Sequence, residues 1–175
     1  MRKYLSIFIL TVLVSSCDKL DNLTKFNIDY DTQVTIPSSA GINLPFDVLT
    51  PDVETNSESR FESNDTRKDL IEEIKLTKLQ LVITSPSGAD FSFLESIEVF
   101  ISADGLDELK IASKVEVPQD VTTLDLEVSD ADLKEFIKKD SYSLRLNSVT
   151  DEAISQDYEL DVKSTFFVDA KILGL

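Results

Sequence analysis

Residues 158–172, YELDVKSTFFVDAKI, decide the fold class. Tyr158, Leu160, Val162, Phe166, Val168, Ala170 and Ile172 share one phase of a two-residue period, and Ser164 is the one polar residue in that stripe. Glu159, Asp161, Lys163, Thr165 and Asp169 occupy the other phase. Successive side chains on a pleated backbone point to opposite faces, so this pattern is a strand half-buried against a core. At roughly 3.3 Å per residue the run spans about 50 Å, long for a globular strand, and a bend or bulge is expected near Ser164.

The same period recurs upstream. Tyr142, Leu144 and Leu146 repeat it, as do Ile97, Val99 and Ile101, and the shorter sets Leu109/Ile111, Val115/Val117 and Leu124/Leu126/Val128. Between Ile74 and Ile83 the apolar phase slips from even to odd positions, which predicts a β-bulge near Thr77-Lys78. Phe26, Ile28, Tyr30, Val34 and Ile36 form a first strand ending at Pro37, followed by a turn over Ser38-Ser39-Ala40-Gly41. Ile42, Leu44, Phe46 and Val48 form a second, where Pro45 removes a backbone donor and predicts an edge or bulged strand. Residues 50–66 read as the longest loop, and Asp65 or Thr66 as a cap for a helical turn over Arg67–Glu73. One helix is expected after Ser129 and Asp132: Leu133, Phe136 and Ile137 form an i, i+3, i+4 stripe, and Lys138 and Lys139 suit its C-terminal dipole. Short alternating strands separated by turns predict an antiparallel β-sandwich, immunoglobulin-like or jelly-roll, of about seven to nine strands with one short helix. A closed β-barrel is the alternative.

Composition narrows the chemistry. Lys and Arg number 17 against 33 Asp and Glu, a formal charge of −16 on 175 residues. A nucleic-acid binder needs a basic face to displace condensed counterions, so nucleic acid is not an expected partner. There is no His, no Trp and a single Cys. These absences exclude His-dependent triads, Cys–His nucleophiles, ordinary zinc sites and an intrachain disulfide.

The N-terminus reads as an address. Residues 1–16, MRKYLSIFILTVLVSS, carry Arg2 and Lys3 ahead of an apolar run from Leu5 to Val14, too short to span a bilayer and of signal-peptide length. Val14-Ser15-Ser16-Cys17 resembles the lipobox of bacterial lipoproteins. That resemblance implies a diacylglyceryl group on the Cys17 thiol, cleavage before Cys17, and usually acylation of the new amine. Two or three acyl chains hold a protein on a bilayer durably, at about 0.8 kcal/mol per buried methylene. The expected organisation is a leader over 1–16, a lipidated Cys and tether over 17–24, and a single sandwich domain over 25–175. Without Arg2 and Lys3 the mature part carries 33 acids against 15 bases, so anionic headgroups repel it and lipid holds it at one end. Asp18 resembles the inner-membrane retention signal of enteric lipoproteins. The run Asp18-Lys19-Leu20-Asp21 and the overall composition are similar to small lipoproteins of the Bacteroidetes group, which implies the outer membrane, with periplasmic or cell-surface orientation left open.

Candidate sites are few. Asp29, Asp31, Glu98, Asp125, Glu127, Glu159 and Asp161 alternate with core residues and therefore face solvent. Around the Gly105 turn, Asp104, Asp107 and Glu108 offer oxygens for calcium, as do Asp52, Glu54, Glu58, Glu62 and Asp65 in the long loop, but neither segment has EF-hand spacing. Tyr30, Tyr142 and Tyr158 sit in the core phase, which disfavours a sugar-binding platform. Phe100 and Phe167 lie out of phase with their neighbours, and either fill the second side of a covered sheet or mark a surface for a protein partner. The expected function is a lipid-anchored, non-catalytic binding or structural accessory module of the envelope. It needs no cofactor beyond the covalent diacylglycerol, and its partners are the membrane and an envelope protein. The alternatives are a calcium-dependent adhesion module and a carboxylate-dependent hydrolase.

Overall fold

The computed structural model describes residues 24–38 and 43–171. The leader, Cys17, the tether to residue 23, the turn residues 39–41, Ile42 and Ile172 lie outside the described residues. In chain order the strands are β1 (Lys25–Ile36), β2 (Pro45–Leu49), β3 (Val53–Glu54), β4 (Ile71–Ser85), β5 (Leu94–Ser102), β6 (Leu109–Val115), β7 (Thr123–Asp125), β8 (Glu127–Val128), β9 (Ser141–Thr150) and β10 (Tyr158–Ala170). Two short helices, α1 (Ser57–Glu62) and α2 (Lys134–Ile137), complete the regular structure with two 3₁₀ turns. One sheet has the order β1-β10-β4-β7 and the other β2-β9-β5-β6-β8, with β3 also on β9, and every pairing is antiparallel. The chain is therefore a mainly β, two-sheet antiparallel sandwich. It has ten strands and two helices among the described residues, slightly more than the periodicity counts, because β7 and β8 split one run and β3 is two residues long.

The apolar phase of β10 is the floor of the core. Leu160, Val162, Phe166 and Val168 are fully buried, and β10 holds unbroken register with β1 from Ile36↔Tyr158 to Lys25↔Asp169. The bulge lies on the other neighbour. Thr165 pairs with Lys78 and Phe166 with Leu76, so Thr77 is the extra residue, which accounts for the slip in the β4 pattern. Ser164 keeps the core phase: it is buried, and its side chain hydrogen-bonds to the Tyr142 phenol. Tyr30, Tyr142 and Phe166 interlock edge-on, with ring centroids 5.7 to 6.2 Å apart.

Two departures from the sequence pattern have identifiable causes. Val99 pairs with Ala112 and Phe100 with Lys110, so Ile111 is an extra residue in β6. Ile111 and Ala112 are both buried, and the phase inverts beyond them, leaving Val115 67% exposed. Glu116, at φ 55°, turns the chain so that Val117 re-enters the core. Leu44 does not join the core phase of β2: it follows Asn43, at φ 56°, and is 64% exposed. β2 is nevertheless the edge strand that Pro45 predicts.

The segment 50–66 is ordered structure rather than a loop. The Thr50 hydroxyl accepts from the Leu144 N–H at 2.9 Å, and the Thr55 N–H and hydroxyl donate to the Asp140 and Lys139 carbonyls at 2.9 and 2.5 Å, pinning the chain along β9. α1 follows, with Phe61 fully buried against Phe26, a single apolar anchor that carries no helical period. The helical turn expected over Arg67–Glu73 is only a 3₁₀ turn at Lys68–Leu70, because the Ile71 side chain is buried and β4 begins there. α2 is shorter than its stripe suggests, although Leu133, Phe136 and Ile137 are all buried. Its first turn is held by Asp132 rather than Ser129: one carboxylate oxygen accepts from the N–H groups of Lys134 and Ile74, both at 3.1 Å.

The two lateral sides of the sandwich differ. On one, the chain crosses from β7 to β8 through buried Leu126, whose N–H donates to the Leu79 carbonyl at 2.9 Å, so a single kinked strand serves both sheets. On the other, among the described residues, β1 pairs with β10 alone and β2 and β3 with β9 alone. That side is a seam between two edge strands.

Candidate functional site

Three surface features stand out. The first lies on the outer face of the β2-containing sheet. Arg145 of β9 points outward between β2 and β5, and its guanidinium meets Glu108 through two hydrogen bonds of 2.9 and 2.6 Å and Asp47 through one of 2.6 Å. Asn147, two residues along the same face, also donates to Asp47 at 2.8 Å. The guanidinium carbon stands 4.2 Å from the Phe100 ring centroid. The Asn147 amide and Arg145 hold the Asp47 carboxyl below its usual range, and Arg145 does the same for Glu108. The guanidinium itself is held more firmly protonated by both carboxylates. Bidentate pairing with stacking is a geometry Arg alone provides.

This cluster reassigns two residues singled out in the sequence. Phe100 is half-buried beneath Arg145 rather than presented as an open patch. Glu108 is committed to the guanidinium, and the structure does not gather Asp104, Asp107 and Glu108 around a point. Among the described residues, no group of three or more acidic or thiol side chains is arranged to hold a metal ion. Phe167 is half-buried on the outer face of the other sheet, in register with Asn27 and Lys75. Arg145 carries no sequence signal: it is one out-of-phase residue in β9, and its partners lie 37 and 98 positions away.

The second feature is a cleft of about 630 Å³ beside α1, lined by Glu54, Ser57, Glu58, Glu62, Lys68 and Asp140 among others. It brings together three acids of the 52–65 segment, with Lys68 and Asp140 forming an ion pair at 3.9 Å across it. The third is the seam. Its lower half is filled by Tyr30, whose hydroxyl donates to the Thr55 carbonyl at 2.8 Å, by Phe61, and by Arg60, 4.6 Å over the Tyr30 ring. Burial pushes the Tyr30 phenol up to about 12, with Arg60 opposing, and burial also pushes Tyr142 upward. The upper half is an open groove of about 460 Å³ lined by Val34, Thr35, Val48, Leu49, Pro51 and Glu159, with Leu49 65% exposed.

The displaced carboxyl groups share one direction. A general acid needs a carboxyl held protonated by its surroundings. Among the described carboxyl groups, those clearly displaced all move the other way. Asp47 and Glu108 do so as above, Asp90 through Ser92, and Asp157 through the Ser38 N–H. At Asp132 burial acts upward, but the Ile74 and Lys134 hydrogen bonds outweigh it. No helix among the described residues is long and apolar enough to cross a membrane.

No protein-family model matches the chain, and no curated protein sequence matches it. Among solved structures, one of Desmodium yellow mottle tymovirus is 17% identical, covering 86% of this chain and 85% of that one, with a TM-score of 0.33. One of turnip yellow mosaic virus is 13% identical over 86% and 84%, with a TM-score of 0.30. Another, of the empty head of turnip yellow mosaic virus, is 13% identical over 85% and 82%, with a TM-score of 0.31.

Proposed function

We propose that this protein is a lipid-anchored, non-catalytic binding module of a bacterial envelope, tethered through Cys17 to the outer membrane and presenting its acidic sandwich to a protein partner. The observation that carries the reading is the run Val14-Ser15-Ser16-Cys17, which ends an apolar leader with the chain's single cysteine. The surface chemistry supports the non-catalytic part. The prominent charged groups are engaged in holding strands together, and the displaced carboxyls are all held ionised, which suits scaffolding and recognition better than proton transfer. The acidic surface supports anchoring by lipid at one end, since anionic headgroups repel the domain.

The test is metabolic labelling with a fatty-acid probe in a bacterial host that processes lipoproteins. The wild-type chain is expected to take up label and migrate at the size of the cleaved form. Cys17→Ser is expected to lose the label and accumulate as the longer precursor. Equal labelling of the two proteins overturns the anchor and the envelope assignment with it.

A further inference from the structure

The seam between β1 and β2 has the properties of a site awaiting a strand. An edge strand presents unpaired N–H and C=O groups that another extended chain can complete, with pockets for alternate side chains supplying selectivity. The other lateral side of this sandwich is closed by the chain itself at Leu126. Here β1 is twelve residues long and, among the described residues, bonded on one side only, and beside its second half lies the groove with exposed Leu49 at its rim.

We infer that the β1 edge over Asp31–Thr35, beyond the half closed at Tyr30, is a docking site for an extended protein segment that alternates apolar and basic residues. The proposal rests on the binding-module reading but not on the anchor. A strand added to β1 directs every second side chain inward, over Val34, Val48 and Leu49, where apolar groups of Val size fit the groove. Its other side chains lie beside the outward residues of β1, which include exposed Asp31, with exposed Glu159 at the groove mouth. Directly opposed opposite charges stabilise a strand pair and like charges destabilise it, so Lys or Arg belongs at those positions. The same rule disfavours a second copy of this chain. Two copies would bring together acidic edges carrying Asp31 and Glu159, on molecules of formal charge −16. Charge complementarity therefore selects a basic partner.

The probe is a synthetic peptide of alternating Val and Lys, about eight residues long, offered to the full-length protein in detergent. Its twin has the same composition with the Val and Lys residues segregated into blocks. Affinity is read by titration and location by amide hydrogen exchange. The alternating peptide is expected to bind at least about tenfold tighter than the segregated one and to slow exchange in β1. Leu49→Lys, which changes an exposed side chain, and Asp31→Lys are each expected to weaken binding about tenfold, a step of about 1.4 kcal/mol, without altering the thermal midpoint by more than a few degrees. Equal affinity for both peptides, or protection confined to the Glu54–Asp140 cleft, overturns the docking site and leaves the module reading standing. So does slow exchange along the β1 edge of the free protein, which would mean that the chain's own terminal residues or a second copy already cover it. Loss of fatty-acid labelling, by contrast, bears on the anchor and not on this edge.

Discussion

Replacing Tyr30 with Phe tests the seam and the core together through the pH dependence of stability. The Tyr30 ring is buried against Tyr142 and Phe166, and only its hydroxyl changes environment, losing the 2.8 Å bond to the Thr55 carbonyl. Leaving that carbonyl without its donor is expected to cost about 1 kcal/mol near neutral pH. Alkali then reverses the order. The folded phenol is held up to about 12, above the ordinary value of about 10, because burial disfavours the phenolate. A group whose folded pKa is raised contributes stability that is complete below its unfolded pKa and is lost as pH rises through the folded one. By pH 11 the unfolded wild-type chain gains about 1.4 kcal/mol from ionising Tyr30, a gain unavailable to the Phe variant. Every other ionisable group is common to both proteins, so the difference between them isolates Tyr30. Urea midpoints measured from about pH 8 to pH 11 should show wild type ahead by about 1 kcal/mol at the acid end and behind at the alkaline end, crossing between about pH 10 and 11. Parallel curves with a constant gap would refute the assignment of Tyr30 as a buried, neutral donor, and with it the closure of the lower seam by Thr55 and α1.

Phe166→Ala removes a fully buried ring from the floor of the core and should cost about 3–5 kcal/mol, whereas Asp161→Asn, on the outer face of the same strand, should cost under about 0.5 kcal/mol. Denaturant midpoints ranked the other way would reverse the facing of β10. Arg145→Met keeps much of the stem over Phe100 and removes the charge from Asp47 and Glu108. At neutral pH this should cost no more than about 1 kcal/mol because the carboxylates are partly exposed. Both carboxyls have lowered folded pKa values, so their contribution is present above the ordinary carboxylate range and disappears as pH falls through and below about 4. The stability gap between wild type and Arg145→Met should therefore narrow steadily as pH falls below the ordinary carboxylate range, and a gap that does not change with pH there would show that Arg145 acts through packing rather than charge.

What local pattern carries, the sequence by itself determined. A two-residue period places Phe166, Ile97 and Leu144 on a buried face whatever their partners, because the pleat is a property of each strand alone. The slip at Thr77 is legible for the same reason: a bulge leaves its trace in the phase of its own strand. Pro45 marks an edge because it lacks a donor anywhere it stands. The charge balance, the missing His and the run ending at Cys17 are likewise complete in the string of residues.

Pairing across distance is a different quantity, and only the tertiary structure decided it. Arg145 reads as one more outward residue until register sets it beside Asp47 on one strand and Glu108 near the start of another. Ser164 reads as a break in a stripe until Tyr142, from the opposite sheet, supplies its hydrogen bond. Val115 reads as core until the extra residue Ile111, apolar on either phase and so silent in the pattern, turns it outward. α1 has one buried apolar residue, Phe61, too little to write a helical period, and its position depends on Phe26, on Arg60 over Tyr30 and on Thr55 bonding to β9. Side-chain alternation records which way a residue faces relative to its own backbone. Which surface it then meets depends on strand order and register, and those are set by the summed contacts of residues far apart in the chain.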